Sequence, residues 1–398
     1  MKAGWESTIL ENVIDLQNRF AFKSAEFTEE GHFLMRIANV QNGDISLEKP
    51  KFVKLTEQTK RFELKKGDIL TSLTGNVGRV AEIKASHLPA ALNQRVARIK
   101  PKEDFDVDRS YLLHFLSSDA FSSFLEQEAH GAAQANVSPN AIKEVPFALP
   151  PLEEQKRIVS ILDEAFEGLD RARENAEANL KSARELFDEQ SRRLLSGKSS
   201  EWVEAKLSEV CEKITDGTHQ TPKYFDEGYI FLSSKNVTSR KIDWENVKYI
   251  DEAQHAAMHK RIAPKRGDIL LAKNGTTGVA AMVDRDVVFD IYVSLAHLRP
   301  LELLVAEFLL YFVNSKMAKE QFNSRLKGQG VPNLHLKEIR DVKISFPKSK
   351  TEQREIVAQI ADLSNEANNL EALYTSKLQD ISDLRQSLLQ KAFAGELT

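Results

Sequence analysis

The sequence predicts an α/β (α+β) protein: two duplicated globular domains with curved, mostly antiparallel sheets, separated by two long antiparallel coiled-coil helices. Three observations lead to this prediction. The second half of the chain repeats the first. Each half opens with short β-branched and aromatic runs separated by turns rich in Gly, Asn and Asp. Each half then closes with one long stretch of helical periodicity.

The repeat extends over nearly the whole length. The segment KKGDILTSLTGNVGRVA (65–81) returns as KRGDILLAKNGTTGVAA (265–281), and EEQKRIVSIL (153–162) returns as TEQREIVAQI (351–360). Such a unit is too long for a solenoid repeat, which has a few tens of residues. The copies differ most in their polar loops, so two similar frames are predicted to recognise two different targets.

The order of these patterns divides the chain into four segments. Residues 1–150 and 199–350 are predicted to be the globular domains, and residues 151–198 and 351–398 the two spacer helices. Pro150 and Pro151 stop any helix that precedes the first spacer helix.

Apolar residues in both spacer helices recur at alternating spacings of four and three, which is typical of a coiled-coil seam. Two arrangements are compatible with this: the helices pair with each other, or each packs on its own domain. Matching seams and polar opposite faces favour pairing with each other. Because a globular segment separates the two helices, an antiparallel pair is the simplest way to close the chain into a compact body. Gly197 and Gly395 are predicted to end the helices as C-caps. The predicted seam contains Ile158, Leu162, Leu169, Leu180, Ile356, Ile360, Leu370 and Leu378.

The composition is that of an ordinary globular protein, with 41% hydrophobic and 29% charged residues among 398. The single cysteine, Cys211, excludes an internal disulfide framework. No stretch approaches the roughly 18 apolar residues of a membrane span, and the N-terminus lacks the apolar core of a secretory signal. We therefore expect a cytoplasmic protein without membrane contact. The net charge of −4 decides little, because a near-neutral domain can still present a basic face.

No catalytic constellation is visible in either copy. The Gly loops lack the Lys-Ser/Thr ending of a Walker loop, and no Gly-x-Gly-x-x-Gly follows a strand. The Asn-Pro-Pro-aromatic motif expected of an adenine methyltransferase is absent, and the nine histidines form no H-E-x-x-H or other zinc pattern. We expect no catalytic residue, no metal ligand and no cofactor in this chain.

Polar loops at corresponding places in the two copies are the candidate nucleic-acid contacts. Short polar and basic side chains beside glycines suit close approach to phosphates and base edges. Two alternatives stay open: a tight turn that needs positive φ at the glycines, and a solvated loop or cap at any single side chain. The candidates are Arg19, Lys23, Arg36, Asn39, Thr74, Asn76 and Arg79 in the first copy, and His219, Gln220, Lys223, Lys235, Asn236, Lys273, Asn274, Thr276 and Thr277 in the second.

Together these segments resemble the specificity (S) subunit of type I restriction–modification systems, over the whole chain. The most specific pieces are DGTHQTPKYFDEGYIFLSSKNV (216–237), GDILLAKNGTTG (267–278), the two Glu-Gln segments quoted above and the ending LRQSLLQKAFAGEL (384–397). The first copy departs from the pattern, because its segment 16–27 lacks the Asp-Gly-Thr-His element.

The resemblance implies that the chain catalyses nothing itself and binds double-stranded DNA. Each globular segment would be a target-recognition domain that reads one half of a bipartite site through the major groove, and the helix pair would fix the spacer. Two methyltransferase (M) subunits would bring S-adenosylmethionine and methylate adenine. Restriction/translocase (R) subunits would add translocation and cleavage that use ATP and Mg.

Two other functions stay open. One is a specificity module of a fused or type II-like system, and the other is a coiled-coil adaptor that does not bind DNA. DNA binding that weakens steeply with salt would separate the adaptor from the other two, because counterion release accompanies phosphate contacts.

Overall fold

The computed structural model describes residues 2–18, 20–129, 136–197, 200–324 and 333–397. The chain forms two compact units. The first unit contains residues 1–176 and 376–398, and the second unit contains residues 177–375. Each unit therefore combines one globular segment with parts of both long helices. Among the described residues, no helix is long and apolar enough to cross a bilayer.

The first unit is built from short strands and short helices, followed by the first long helix, α5 (Leu152–Leu194). Its strands are β1 (Glu6–Ile9), β2 (Ile14–Gln17), β3 (Phe27–Thr28), β4 (His32–Met35), β5 (Phe52–Val53), β6 (Glu63–Leu64), β7 (Ile69–Ser72), β8 (Val80–Glu82), β9 (Ala90–Leu92), β10 (Val96–Pro101) and β11 (Pro146–Leu149). Its short helices are α1 (Leu10–Val13), α2 (Arg109–Leu116), α3 (Asp119–Glu128) and α4 (Pro139–Glu144).

The second unit repeats this plan and leads into the second long helix, α11 (Lys350–Ala394). Its strands are β12 (Trp202–Lys206), β13 (Cys211–Asp216), β14 (Tyr229–Leu232), β15 (Lys248–Ile250), β16 (Ile269–Ala272), β17 (Ala280–Met282), β18 (Phe289–Ile291), β19 (Leu295–Pro300) and β20 (Lys343–Pro347). Its short helices are α6 (Leu207–Val210), α7 (Glu252–His259), α8 (Ala306–Asn314), α9 (Lys316–Asn323) and α10 (Leu336–Arg340).

The two units share a two-stranded and a four-stranded sheet of corresponding order, and the third sheet has five strands in the first unit and three in the second. The first unit has sheets of order β1-β11, β2-β10-β7-β8 and β3-β5-β4-β9-β6, and the second unit has sheets of order β12-β20, β13-β19-β16-β17 and β15-β14-β18. Among the described strands the pairs β4–β9 and β14–β18 are parallel and the other ladders are antiparallel. The predicted mixed fold with mostly antiparallel sheets is confirmed.

The repeated Gly-Asp-Ile-Leu segment has a structural explanation in its aspartate. The carboxylates of Asp68 and Asp268 accept hydrogen bonds from the backbone N–H groups of Lys65 and Lys265, each at 2.9 Å. Both carboxylates are buried, and each pairs with two basic side chains of the neighbouring strand: Arg98 and Lys100 in β10, and His297 and Arg299 in β19. The motif therefore closes a turn and joins two strands in both units.

The repeated Glu-Gln segment is explained by its glutamine. Gln155 is fully buried at the start of α5, where its amide nitrogen donates to the carbonyls of Pro150 and Asp106, each at 2.8 Å. Its amide oxygen accepts from the backbone N–H of Asp108 at 2.7 Å. Gln353 makes the same three bonds at the start of α11, to Pro347, Leu303 and Val305. One side chain thus fixes the direction in which each long helix leaves its sheet.

The long helices contact each other in both units. In the first unit, Arg385 of α11 pairs with Asp170 of α5 at 2.8 Å. In the second unit, Arg184 of α5 pairs with Glu371 of α11 at 2.6 Å. From the first ion pair to the second, the residue number rises by 14 along α5 (170 to 184) and falls by 14 along α11 (385 to 371). The predicted antiparallel pairing is confirmed.

The apolar seam also contributes to the globular cores, so both arrangements that the sequence left open occur. Ile158 and Leu162 are buried in the first core together with Leu389 of α11. Ile356 and Ile360 are buried in the second core together with Leu195, one residue beyond α5. Leu169, Leu180 and Leu378 are half-buried farther along the helices.

Two sequence predictions about the helices are wrong. Leu370 is 39% exposed, because its neighbour Glu371 takes the half-buried position that pairs with Arg184. Gly395 does end α11 with a left-handed φ of 80°. Gly197, by contrast, lies beyond the end of α5 without positive φ, and the indole ring of Trp202 occupies the place where a Cβ would project.

Candidate nucleic-acid interface

Four loops of the second unit meet around the turn between β18 and β19. They are residues 216–223, 233–235, 273–278 and 292–294, which we call the second loop cluster. Thr218 N donates to the carbonyl of Ile291 at 3.1 Å, and Val293 N donates to that of Thr218 at 2.9 Å. Ser294 accepts from Lys273 N at its carbonyl, at 2.8 Å, and from Ser234 N at its hydroxyl, at 3.0 Å.

The glycine of the Asp-Gly-Thr-His element is required by this convergence. A Cβ at Gly217 would lie 1.9 Å from the carbonyl oxygen of Ile291. Any side chain there would push the two backbones apart, so this glycine serves packing rather than ligand contact.

Asp216, next to that glycine, collects the basic side chains of the cluster. Its carboxylate is buried and accepts from Lys273 Nζ at 2.6 Å and from the Arg261 guanidinium at 3.1 Å, with His219 Nε2 3.4 Å away. Burial alone would raise the pKa of Asp216, but the hydrogen bond and charge of Lys273 hold that pKa below its usual value. Asp216 therefore stays ionised inside the cluster.

This contact corrects the placement of Lys273 among the candidate nucleic-acid contacts. Lys273 is only 5% exposed, and its ammonium group is engaged inside the unit. The exposed side chains around Lys273 remain available to contact a ligand. Those from the predicted set are His219, Gln220, Lys223, Lys235 and Thr276, with Asn274 and Thr277 half-buried.

The first unit contains the corresponding arrangement, the first loop cluster, formed by residues 36–38, 73–79 and 93–95. Leu73 N donates to the carbonyl of Arg95 at 3.0 Å, as Lys273 N does to that of Ser294. A shallow cleft of about 370 Å³ lies between loops 36–38 and 93–95, and Arg36 lines it opposite Gln94 and Arg95. Because Gln94 and Arg95 are exposed, this cleft offers amide and guanidinium donors to a ligand.

Two predicted contacts, Asn39 and Asn236, are buried structural residues. Asn39 Oδ1 accepts from the backbone N–H of Arg36 at 3.1 Å, and its amide nitrogen donates to the carbonyl of Ser46 at 2.9 Å. Asn236 Oδ1 likewise accepts from the backbone N–H of Ser233 at 2.9 Å, and its amide nitrogen donates to the carbonyls of Asp243 at 3.3 Å and Asn246 at 3.0 Å. Both amides hold the turn after the central strand, which leaves them no free group for a base edge.

The remaining candidates of the first copy differ in how far they are engaged. Arg36 donates to the carbonyl of Lys49 at 2.5 Å, and Arg79 donates to Gln41 Oε1 at 2.8 Å. Thr74 donates to Asn136 Oδ1 at 2.9 Å. Lys23 and Asn76 are exposed, whereas Arg19 lies outside the described residues.

The family model described as "Type I restriction modification DNA specificity domain" matches residues 2–180 and 199–379. These two matches cover most of the chain, and each contains one complete loop cluster. The chain belongs to this family. It therefore has a DNA-target-recognition role, with DNA and the other components of a restriction–modification complex as partners.

Individual members support the assignment over the full length. The specificity chain is 24% identical to the type I restriction enzyme EcoBI specificity subunit of Escherichia coli, over 99% of this chain and 86% of that subunit. Its fold matches a solved chain of a type I R-M system studied for complex assembly and conformational transition, with a TM-score of 0.76, 20% identity and coverage of 100% and 99%. The HsdS subunit from Thermoanaerobacter tengcongensis matches with a TM-score of 0.51, 19% identity and coverage of 99% and 98%.

The specificity chain also exposes two aromatic residues that are not among the predicted contacts. Tyr224 and Phe225 are 43% and 37% exposed beside the second loop cluster. The ammonium of Lys223 lies 5.3 Å from the Phe225 ring centre, and that of Lys248 lies 5.5 Å from the Tyr224 ring centre. These rings and lysines together present an apolar face and positive charge beside the cluster. In the sequence both rings belong to the segment Thr-Pro-Lys-Tyr-Phe, of which only the lysine is among the predicted contacts.

Proposed function

We propose that this chain directs a type I restriction–modification complex to a bipartite duplex DNA site, with one half-site read by each loop cluster. The proposal depends on one observation: both units hold corresponding loops by the same backbone hydrogen bond, but the exposed side chains of these loops differ between the units. Equivalent backbone bonds, from Leu73 to Arg95 and from Lys273 to Ser294, place the same loops together in both units. A shared support with different exposed groups is what two readers of different sequences require.

The side chains available in each cluster suit contact with duplex DNA. Gln94 and Arg95 present an amide and a guanidinium, the groups that pair bidentately with adenine and guanine in the major groove. In the second cluster, Lys223 and Lys235 suit phosphates, while Asn274 and Thr276 suit base edges. We therefore expect the two half-sites to differ in sequence.

The chemistry is proposed to reside on other subunits. Two methyltransferase subunits would supply S-adenosylmethionine and transfer a methyl group to adenine, and restriction subunits would use ATP and Mg for translocation and cleavage. This chain would contribute DNA binding and the docking of these subunits. The purified chain alone should transfer no methyl group, and methylation by it would contradict the assignment.

A domain exchange tests the proposal directly. The segment from Glu201 to Lys350 is replaced by the equivalent segment of a family member with a different target, and the reconstituted complex is used to methylate genomic DNA. Mapping of the methylated adenines should show one half-site changed, with the other half-site and the spacer retained. A change in both half-sites would contradict the assignment of one reader to each unit.

A loop variant tests the side chains within one cluster. Replacing Asn274 and Thr276 together by alanine should weaken specific binding by about 1–3 kcal/mol for each base that these side chains read, and relax the sequence requirement at that position. Lys235→Ala is the matched comparison, since removal of a phosphate-binding lysine weakens all sequences evenly and reduces the salt dependence. Full affinity and full specificity in the double variant would remove this loop from the interface.

A further inference from the structure

Two histidines and an aspartate of the second unit form a compact group. His255 and His259 lie one turn apart on α7, and Asp290 lies in β18, against which α7 packs. Nδ1 of His255 is 2.7 Å from one oxygen of Asp290, and Nδ1 of His259 is 3.3 Å from the other. The three potential ligand atoms all lie within 4.8 Å of one another.

The burial of Asp290 requires compensation. Its side chain is 2% exposed, and its cationic partners within the described part of the chain are the two histidines. A buried carboxylate is costly unless it is paired, and a neutral imidazole offers it a hydrogen bond but no charge. A divalent cation between the three groups would supply that charge.

The first ligand, His255, is held firmly in position. Its ring stacks on that of Tyr229, with ring centres 3.8 Å apart and planes 8° from parallel. The Tyr229 hydroxyl in turn donates to Glu252 at the start of the same helix, at 2.6 Å. His259 is the more accessible ligand, with a side chain 29% exposed.

We propose that His255, His259 and Asp290 bind one divalent transition-metal ion of the zinc class. Two imidazole nitrogens and one carboxylate oxygen are a donor set that zinc accepts, with a fourth position left for water. Bonds of about 2.0 Å in a tetrahedron separate the ligand atoms by about 3.3 Å. His259 Nδ1 already has this separation from one oxygen of Asp290, whereas His255 Nδ1 lies 2.7 Å from the other oxygen, so the two rings and the carboxylate would have to shift for one metal ion to reach all three groups. A neutral imidazole that binds metal through Nδ1 carries its proton on Nε2, so the proton that each Nδ1 donates to Asp290 must move to Nε2 through solvent when the metal binds.

The first unit provides an internal contrast. Strand β9 corresponds to β18, since each pairs in parallel with the strand that follows Gly31 in the first unit and Gly228 in the second. The residue of β9 that corresponds to Asp290 is Ala91. The proposal therefore requires one metal ion per chain rather than two.

A metal at this site would also act on the second loop cluster. Gln254, the neighbour of His255, accepts from the backbone N–H of Lys223 at 2.9 Å and donates to the carbonyl of Lys223 at 3.0 Å. Fixing α7 on β18 would thus restrain the segment that carries Lys223. Amide hydrogen exchange around Lys223 should slow when the metal is added, and this readout does not depend on DNA.

The test uses the full-length chain, freed of metal with a chelator and titrated with Co²⁺. The expected result is saturation at one Co²⁺ per chain with the visible absorption of a tetrahedral site, reversed by Zn²⁺. His259→Gln and Asp290→Asn should each weaken binding at least about tenfold, while His335→Gln, at an exposed histidine of the same unit, should leave it unchanged. His259→Gln decides the matter, because the loss of a partly exposed side chain spares the fold, as circular dichroism would check. No saturable binding by the parent chain, or unchanged affinity in His259→Gln, overturns the proposal.

Discussion

Buried carboxylates organise the polar side chains at the residue scale. Asp268 joins a backbone turn to His297 and Arg299 of the neighbouring strand, and Asp216 gathers Lys273 and Arg261 beneath the second loop cluster. Lys273, which the sequence offers as a candidate contact, is thereby buried inside the unit. The exposed residues that remain, such as Thr276 and Lys235, are held on a rigid base. Rigid support of this kind would keep the proposed reading groups in position for base contacts.

The first prediction concerns the pH dependence that Asp268 gives to the second unit. Burial alone would raise the pKa of Asp268, but hydrogen bonds from Arg299 and His297 lower it to about 2. A lowered folded-state pKa stabilises the fold above the unfolded value of about 3.9, and this stabilisation is lost as the pH falls from about 4 to 2. At about 1.4 kcal/mol for each pH unit between about 3.9 and 2, its size is at most about 2.6 kcal/mol, and the last part of it is lost only below pH 2.

The measurement is urea unfolding of the parent chain and Asp268→Asn at pH 5 and pH 2. Trp244 fluorescence reports on the second unit if Trp5 and Trp202 are replaced by Phe in both proteins. The stability difference between the two proteins should shrink by about 2 kcal/mol on acidification. A difference that stays constant with pH would contradict the lowered pKa.

A second prediction concerns the buried pair of Lys273 and Asp216. Lys273→Met should destabilise the second unit by about 3 kcal/mol, because it leaves a buried carboxylate with less compensation. Combining it with Asp216→Asn should cost clearly less than the sum of the two single changes. Lys235→Met, at an exposed lysine of the same cluster, is the control and should change stability by less than about 0.5 kcal/mol. Additive effects in the double variant would show that the pair does not act as a unit.

At the scale of elements, each long helix serves two purposes along its length. Its ends are apolar and complete the globular cores, as Ile158 does in one unit and Ile360 in the other. Its middle contacts the other helix partly through ion pairs, including that of Arg184 with Glu371. A seam with polar members specifies register more than it adds stability. This suits the proposal that the helix pair sets the DNA spacer, because a spacer of fixed length needs a fixed register between the two helices.

The third prediction separates the two parts of α11. Ile360→Ala should lower the free energy of unfolding of the second unit by about 2–5 kcal/mol, because the residue is almost completely buried. Leu370→Ala, on the exposed side of the same helix, should change it by no more than about 0.5 kcal/mol. Urea titration with tryptophan fluorescence measures both. Equal losses of unfolding free energy at the two positions would show that Leu370 belongs to the seam after all.

At the scale of the whole molecule, the sequence is informative where the pattern is local or repeated. Duplication, strand alternation and helical spacing lead to the fold, since each depends on residues near one another in sequence. Contacts between residues that are distant in sequence cannot be predicted from such local patterns. The burial of Lys273 depends on Asp216, and the proposed metal site depends on Asp290 lying beside α7. Leu370 is misplaced by the sequence because a single heptad pattern cannot tell which of two adjacent residues faces the other helix.

The last prediction tests whether the helix pair measures the DNA spacer. Helices α5 and α11 each begin in one unit and end in the other, and the units divide after Ala176 and before Ser376. Seven residues inserted in both helices, near Ala176 and Tyr374, add about 10 Å while the seam keeps its register. At about 3.4 Å per base pair, the spacer of the recognised site should lengthen by about three base pairs, with both half-sites unchanged.

A shorter insertion gives the matched contrast. Two residues added at the same positions turn one recognition unit by about 200° relative to its position in the parent chain. The two loop clusters can then no longer engage one DNA site together, and specific methylation by the reconstituted complex should disappear. Both variants are compared by sequencing methylated genomic DNA, with circular dichroism confirming that the helices remain. An unchanged spacer after the seven-residue insertion would mean that something other than the helix pair sets the distance between the half-sites.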